Sequence, residues 1–221
     1  MKKIVQQFVL ILFSSIFLVS CITLEENYFL KKDGSGTFEF KVDMSQLMGM
    51  MKAFEGMGQE QENPSEELDF KKEVKKLEQM KGISNVKVME DKEGGFFSMS
   101  FDFADFESLN KAHHEALDST GEMQEILSKK GNTVFFRQIT PGELAKQGES
   151  SEEDSLSNAL GAGMLSQFNY KVKFVLEQEA KTVTTQATNN FDVSNKKTFE
   201  MTGTVQEIID QPGLMNMEIG F

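Results

Sequence analysis

Few residues in this chain are of types that do chemistry, and their spacing suits them poorly for it. The two histidines, His113 and His114, are adjacent. Neighbours on a helix point about 100° apart, so they cannot close on one ion together. His114 and Asp118, four residues apart, can share a site. His113 instead falls on an apolar stripe with Phe106 and Leu109, and a half-buried histidine accounts for that position. Neither a metal centre nor a general base is expected. Methionine is abundant, at 14 residues, and Met44, Met48, Met50, Met51 and Met57 crowd one short segment. Runs of thioethers bind Cu(I). The i, i+4, i+7 spacing of Met44, Met48 and Met51, however, is that of a helix face turned to a core or to an apolar partner. With Leu47 and Phe54 they define a candidate apolar contact surface: Met44, Leu47, Met48, Met51 and Phe54.

No nucleophile elbow, phosphate-binding loop or calcium-loop spacing is present. Gly34-Ser35-Gly36 and Gly161-Ala162-Gly163 lack the strand-to-helix setting of a phosphate cradle. Glu25-Glu26 and Glu152-Glu153-Asp154 lie in charge-rich runs and read as solvated carboxylates. Tryptophan is absent and tyrosine occurs twice, so a sugar-stacking platform is poorly supplied, whereas 20 phenylalanines suit a core. No catalytic residue and no cofactor are expected.

The remaining reactive group is the thiol of Cys21, the chain's single cysteine. Lys2 and Lys3 open the chain, and an apolar stretch follows from Phe8 to Val19, broken by Ser14 and Ser15. Its length suits a signal-peptide core of ~7–15 residues and falls short of the ~20 needed to span a bilayer. Leu18-Val19-Ser20-Cys21 resembles the bacterial lipobox, in which the cysteine sulfur receives a diacylglyceryl group and the preceding peptide bond is cut. Residues 1–20 are thus expected to be a signal peptide, and Cys21 the lipidated first residue of a mature domain, residues 21–221. Lipidation also explains an odd cysteine in an exported protein, and it leaves no thiol for a disulfide. Ile22 stands where an aspartate would retain an enterobacterial-type lipoprotein on the inner membrane, so in a cell with two membranes the expected address is the outer one. No Gly/Ser-rich linker follows Cys21, and at ~3.5 Å per extended residue the domain is expected within about 10 Å of the headgroups.

Lys2 and Lys3 are two of the 23 basic residues, and none of the 35 acidic ones precedes Cys21, so net charge goes from −12 for the whole chain to −14 after cleavage. Such acidity excludes a nucleic-acid binder, which needs a basic footprint, and adhesion to anionic lipid through the domain surface. Contact with the membrane is expected through the acyl chains.

The elements that would position these residues are legible. Thr37–Asp43 alternates strictly, with Phe38, Phe40 and Val42 on one face. It is joined to Leu24–Leu30 through Asp33-Gly34-Ser35-Gly36, a hairpin turn. Val86 and Val88 precede a second turn, after which Phe97, Met99, Phe101 and Phe103 alternate. Residues 132–139 read as a central strand. Phe168–Leu176, 183–187, 191–193 and 199–205 read as strands, and Met215–Phe221 closes the chain as another. Helices are expected around Met44–Phe54, around Phe70–Met80 with Ser65 as N-cap and Gly82 as stop, and after Asp105. A short helical turn is expected at Met123, Ile126 and Leu127, and a last helix at Leu156–Met164. Residues 56–67 and 148–154 read as mobile acidic loops. The class is α+β: a single domain with an antiparallel sheet built from hairpins and amphipathic helices on one face.

Leu24–Val42 around Asp33-Gly34-Ser35-Gly36, together with Phe168–Val205, resembles the LppM-like class of bacterial lipoproteins. The resemblance implies an α+β domain of the cell envelope with no assigned reaction, and it transfers no site residue. Some members carry a C-terminal transmembrane helix, which Met215–Phe221 does not resemble. The chain therefore reads as a membrane-anchored, non-enzymatic envelope lipoprotein binding a protein partner or a hydrophobic ligand. The alternatives are a structural or assembly factor without a small ligand, and an unrecognised hydrolase.

Overall fold

Strict alternation builds the centre of the molecule. The computed structural model describes residues 22–55, 71–116, 123–138, 166–187 and 190–221. Strands β1 (Ile22–Leu30) and β2 (Gly36–Asp43) pair antiparallel, with Leu24 opposite Val42, Glu26 opposite Phe40 and Tyr28 opposite Phe38. Their turn closes as its residues dictate: Gly34 takes φ +91°, and the Asp33 carboxylate accepts bonds from both the amide and the hydroxyl of Ser35 at 2.9 and 2.7 Å. β4 (Phe96–Phe103) pairs with β2, and β3 (Ile83–Asp91) forms the edge beyond it. On the other flank β7 (Phe168–Leu176) lies parallel to β1, followed by β10 (Thr198–Thr204) and β9 (Phe191–Asn195). The result is a seven-stranded sheet in the order β3-β4-β2-β1-β7-β10-β9.

A second sheet of four strands has the order β5-β6-β11-β8. It comprises β5 (Leu127–Lys130), β6 (Thr133–Phe136), β8 (Thr182–Thr185) and β11 (Met217–Gly220). The class expected from the sequence holds, since antiparallel pairing dominates and helices share one side. The division into two sheets and the parallel pair β1–β7 were not legible. Parallel neighbours need a long crossover, and periodicity within a strand says nothing about its partner.

The inner face of the large sheet is a set of cross-strand rows. One row runs Phe101, Phe38, Tyr28, Phe174, Phe199 across five strands. The rings of Phe101, Phe38, Tyr28 and Phe174 pack at 4.9–5.4 Å, and Phe136 from β6 caps them at 5.4 Å from Tyr28 and 5.1 Å from Phe174. Each such pair adds roughly 0.5–1.5 kcal/mol beyond burial. Four helices are described: α1 (Ser45–Glu55), α2 (Lys71–Gln79), α3 (Phe106–Ala116) and α4 (Val205–Asp210). Leu77 of α2, Leu109 and Ala112 of α3, and Val205 and Ile208 of α4 join this core. The outer face is polar. Lys41 lies 3.0 Å from Glu39 and 3.5 Å from Glu25, and Lys171 lies 3.4 Å from Glu200.

Several expectations meet their residues directly. Asp105 caps α3, its carboxylate accepting the Ser108 amide at 2.7 Å. α2 stops before Gly82, whose φ is +86°. β6 is interior to the small sheet. Two expectations are corrected. Ile126 and Leu127 do not form a helical turn. Asn110 of α3, itself buried, accepts both their amides at 3.0 Å and donates to the Leu127 carbonyl at 2.8 Å, which launches β5 as a strand. Val205 does not end a strand. It begins α4, because Thr204 and Glu207 form a reciprocal capping box. The signal peptide, Cys21, Ser65, the acidic loops 56–67 and 148–154, and the helix at Leu156–Met164 lie outside the described residues.

Candidate functional site

One carboxylate interrupts the apolar rows. The row beside the aromatic one runs Met99, Phe40, Glu26, Val172, Met201. The Tyr28 hydroxyl donates to Glu26 Oε2 at 2.6 Å. Tyr170, on the same face, also bonds Glu26, and the Gln138 amide donates to the Tyr170 oxygen at 3.0 Å. Glu26 is half-buried, yet desolvation is the largest influence on it and holds its pKa above the ordinary 4.5 against the lowering effect of the two tyrosines. Burial and the neighbouring carboxylate push both phenols well above their ordinary range. This corrects the reading of Glu25-Glu26 as a solvated pair: Glu25 faces outward toward Lys41, and Glu26 faces in. The signal was present in the parity of Leu24, Glu26, Tyr28 and Leu30.

The two ends of this face differ. At the Leu30 end the side chains of Leu30, Phe103 and Leu176 are buried. At the Ile22 end Leu24, Phe40, Val42 and Phe168 are only half-buried around Glu26. On this face a single carboxylate therefore stands among half-buried apolar side chains.

Helix α1 stands at that same end. The Met44 amide donates to the Gly95 carbonyl at 2.7 Å, and Lys52 Nζ reaches the Glu93 carbonyl at 2.8 Å. Gly95 has φ +71°, and a Cβ there would fall 2.5 Å from Met48 Cγ, so glycine is what lets the helix settle. Of the five residues expected to form a contact surface, Met48 is buried at 5% exposure, while Met44 and Leu47 are half-buried. The side chains of Met51 and Phe54 lie outside the described residues. Met48 thus anchors the helix, and Met44 and Leu47 keep accessible surface.

His113 sits in the core. Its ring meets Phe38 edge-on at 4.6 Å and stacks with Tyr28 at 6.4 Å. Its Nε2 is enclosed, without a hydrogen-bond partner among the described residues, and burial pushes its pKa down to about 4. His114 is half-buried on the same helix, and Asp118 lies outside the described residues. Among the described residues no group of three histidine, cysteine or carboxylate side chains converges as a metal site would require. A separate groove of about 330 Å³ lies on the small sheet, lined by Phe135, Arg137, Thr184, Gln186, Asn216 and Glu218 among others.

No family model matches the chain, and no curated protein matches it. Among solved structures it is similar to the folded domain of the Mycobacterium tuberculosis LppM protein, determined by NMR. The two share 10% identity over 92% of this chain and 90% of that one, with a TM-score of 0.44.

Proposed function

We propose that the chain is a lipid-anchored domain of the cell envelope that catalyses no reaction and holds an apolar ligand at the Ile22 end of its large sheet. The observation that carries this reading is the half-buried set Leu24, Phe40, Val42 and Phe168 on the sheet face that also carries Glu26. The anchor is Cys21, supported by the basic start, the short apolar stretch and the small residue before a lone cysteine. Glu26, whose pKa burial raises, offers one hydrogen bond to a hydroxyl or amide at the head of the ligand. Ile22 favours the outer membrane in a cell with two membranes.

Fractionation tests the anchor: Cys21→Ser should leave the membrane pellet for the soluble fraction, and labelled palmitate should enter the parent chain alone. Equal labelling of both would end the assignment. For the ligand, Phe40→Asp should weaken binding of an apolar fluorescent probe at least about tenfold, the equivalent of about 1.4 kcal/mol. Unchanged binding would place the probe elsewhere. A protein partner is the second reading, favoured by the groove between Arg137 and Glu218 on the small sheet, which offers both charges and an aromatic ring.

A further inference from the structure

Charge divides between the two ends of the large sheet. Four connections meet at its Leu30 end. The Glu177 amide donates to the Leu30 carbonyl at 2.9 Å, and the Leu176 and Ala180 amides donate to the carbonyls of Lys197 and Lys196 at 2.8 and 2.9 Å. The Lys181 and Phe221 amides donate to Gly220 and Asn132 at 2.8 and 2.9 Å. The β1–β2, β5–β6 and β9–β10 turns and the β7–β8 connection are thereby drawn together. Over residues 31–35, 129–132, 177–181 and 195–197 they hold seven lysines and three carboxylates, in a chain whose net charge is −12. The connections at the Ile22 end, residues 43–45, 91–95 and 205–212, hold one lysine and five carboxylates.

The positive surplus is open to solvent. All seven lysines are exposed, and among the described residues none lies within ion-pair distance of a carboxylate. Two of the three carboxylates are engaged locally: Asp33 accepts the Ser35 amide and hydroxyl, and Glu177 accepts the Lys32 amide at 2.9 Å. On the neighbouring β4–α3 side, Asp102 is held by Thr37 and Asn85, Asp105 by the Ser108 amide, and Glu107 by Lys111. Lys31, Lys32 and Lys129 converge on one crevice of about 20 Å³ above Leu30, Phe106 and Val134, and no acidic side chain lines it. That is room for one water-sized group, such as one oxygen of an anion.

We infer that the Leu30 end binds a phosphate-bearing polymer, with Lys31, Lys32 and Lys129 around one phosphate and the lysines of the adjoining turns on its neighbours. Lysine binds phosphate as a point charge, whereas planar recognition of a carboxylate draws on the arginine fork. The chain's one arginine, Arg137, stands beyond the other end of β6 and bonds Gln124. The acidic remainder of the molecule repels such a polymer, but salt screens that repulsion beyond about 8 Å, so the contact is local to this end. Neither the lipid on Cys21 nor a ligand near Glu26 is needed for it.

Titration calorimetry of the full chain with inorganic polyphosphate tests it. Lys31→Gln, Lys32→Gln and Lys129→Gln together should weaken binding at least about tenfold and lower the slope of log K against log salt by about 2, at ~0.7 per lost contact with a flexible polyanion. Lys41→Gln, Lys92→Gln and Lys171→Gln together remove the same charge at the Ile22 end, more than a Debye length away, and should leave binding within about twofold of the parent. Near-ultraviolet circular dichroism matching the parent ties both results to the folded domain. Equal losses in the two triple variants would make the attraction one of bulk charge and overturn the site. Polyphosphate bound no more tightly than orthophosphate would mean an adventitious ion only. Polyglutamate bound as tightly as polyphosphate would make the partner an acidic protein. A preference for phosphatidylglycerol over phosphatidylcholine vesicles, lost in the first triple variant, would make it a lipid surface. Either of these last two results overturns the phosphate polymer.

Discussion

Glu26 on the inner face of the large sheet and His113 on the helix packed against it give stability opposite dependences on pH. Burial raises the Glu26 pKa, so folding favours its protonated form. Its favourable contribution is complete below the ordinary 4.5 and is lost as pH rises through the raised value. Burial lowers the His113 pKa from 6.5 to about 4, so folding favours the neutral ring. That contribution is present above pH 6.5 and lost as pH falls to about 4, by at most about 3 kcal/mol for a shift of this size. His113→Phe should therefore flatten the acid limb of a urea-denaturation series between pH 6.5 and 4. A limb identical to that of the parent would mean that the ring meets water in the folded state. Tyr28→Phe removes the 2.6 Å donor to Glu26 and should cost about 1–3 kcal/mol near neutral pH. Glu26→Gln in the same background should recover part of that loss, because the neutral amide does not demand the same desolvation.

Among the elements, α1 and α4 show where sequence reasoning stops. The spacing of Met44, Met48 and Met51 marked a helix face but not which of its members would be enclosed; the glycine at position 95, on a different hairpin, decides that. Met48→Ala should cost about 2–5 kcal/mol as a buried truncation. Leu47→Ala, half-buried, should cost much less and should weaken apolar-probe binding instead. Equal losses of stability at the two positions would make α1 ordinary core. Thr204→Ala should cost about 1 kcal/mol through the lost cap of α4. The Thr204-x-x-Glu207 signature lies in a run that reads as strand up to Val205, and the local period gave no warning of the switch. The Leu127 turn was hidden for a different reason. Its conformation depends on Asn110, 17 residues earlier, and on bonds that no local pattern reports. Strands β2, β4 and β7 were read correctly because alternation over eight or nine residues specifies both the element and the face it buries.

At the scale of the whole molecule, the pairing scheme brings together features that are far apart in the chain. Ile22 begins β1, the methionine helix follows β2, and Phe168 begins β7, all at one end of the large sheet. The polar outer face, with its exposed ion pairs worth about 0–1 kcal/mol each, contributes solubility more than stability. The Ile22 end holds the half-buried Leu24, Phe40, Val42 and Phe168, and Glu26 stands at the middle of β1 on the same face. With the lipid proposed on Cys21, this end of the sheet would lie beside the bilayer, from which an apolar ligand would come. The most direct test is native mass spectrometry of the protein released in mild detergent from its own membranes. The account predicts a chain that begins at an acylated Cys21 and carries an apolar molecule, with the molecule lost in Phe40→Asp while the acyl groups remain. A chain retaining residues 1–20, or an acylated chain with no bound molecule in either form, would contradict it.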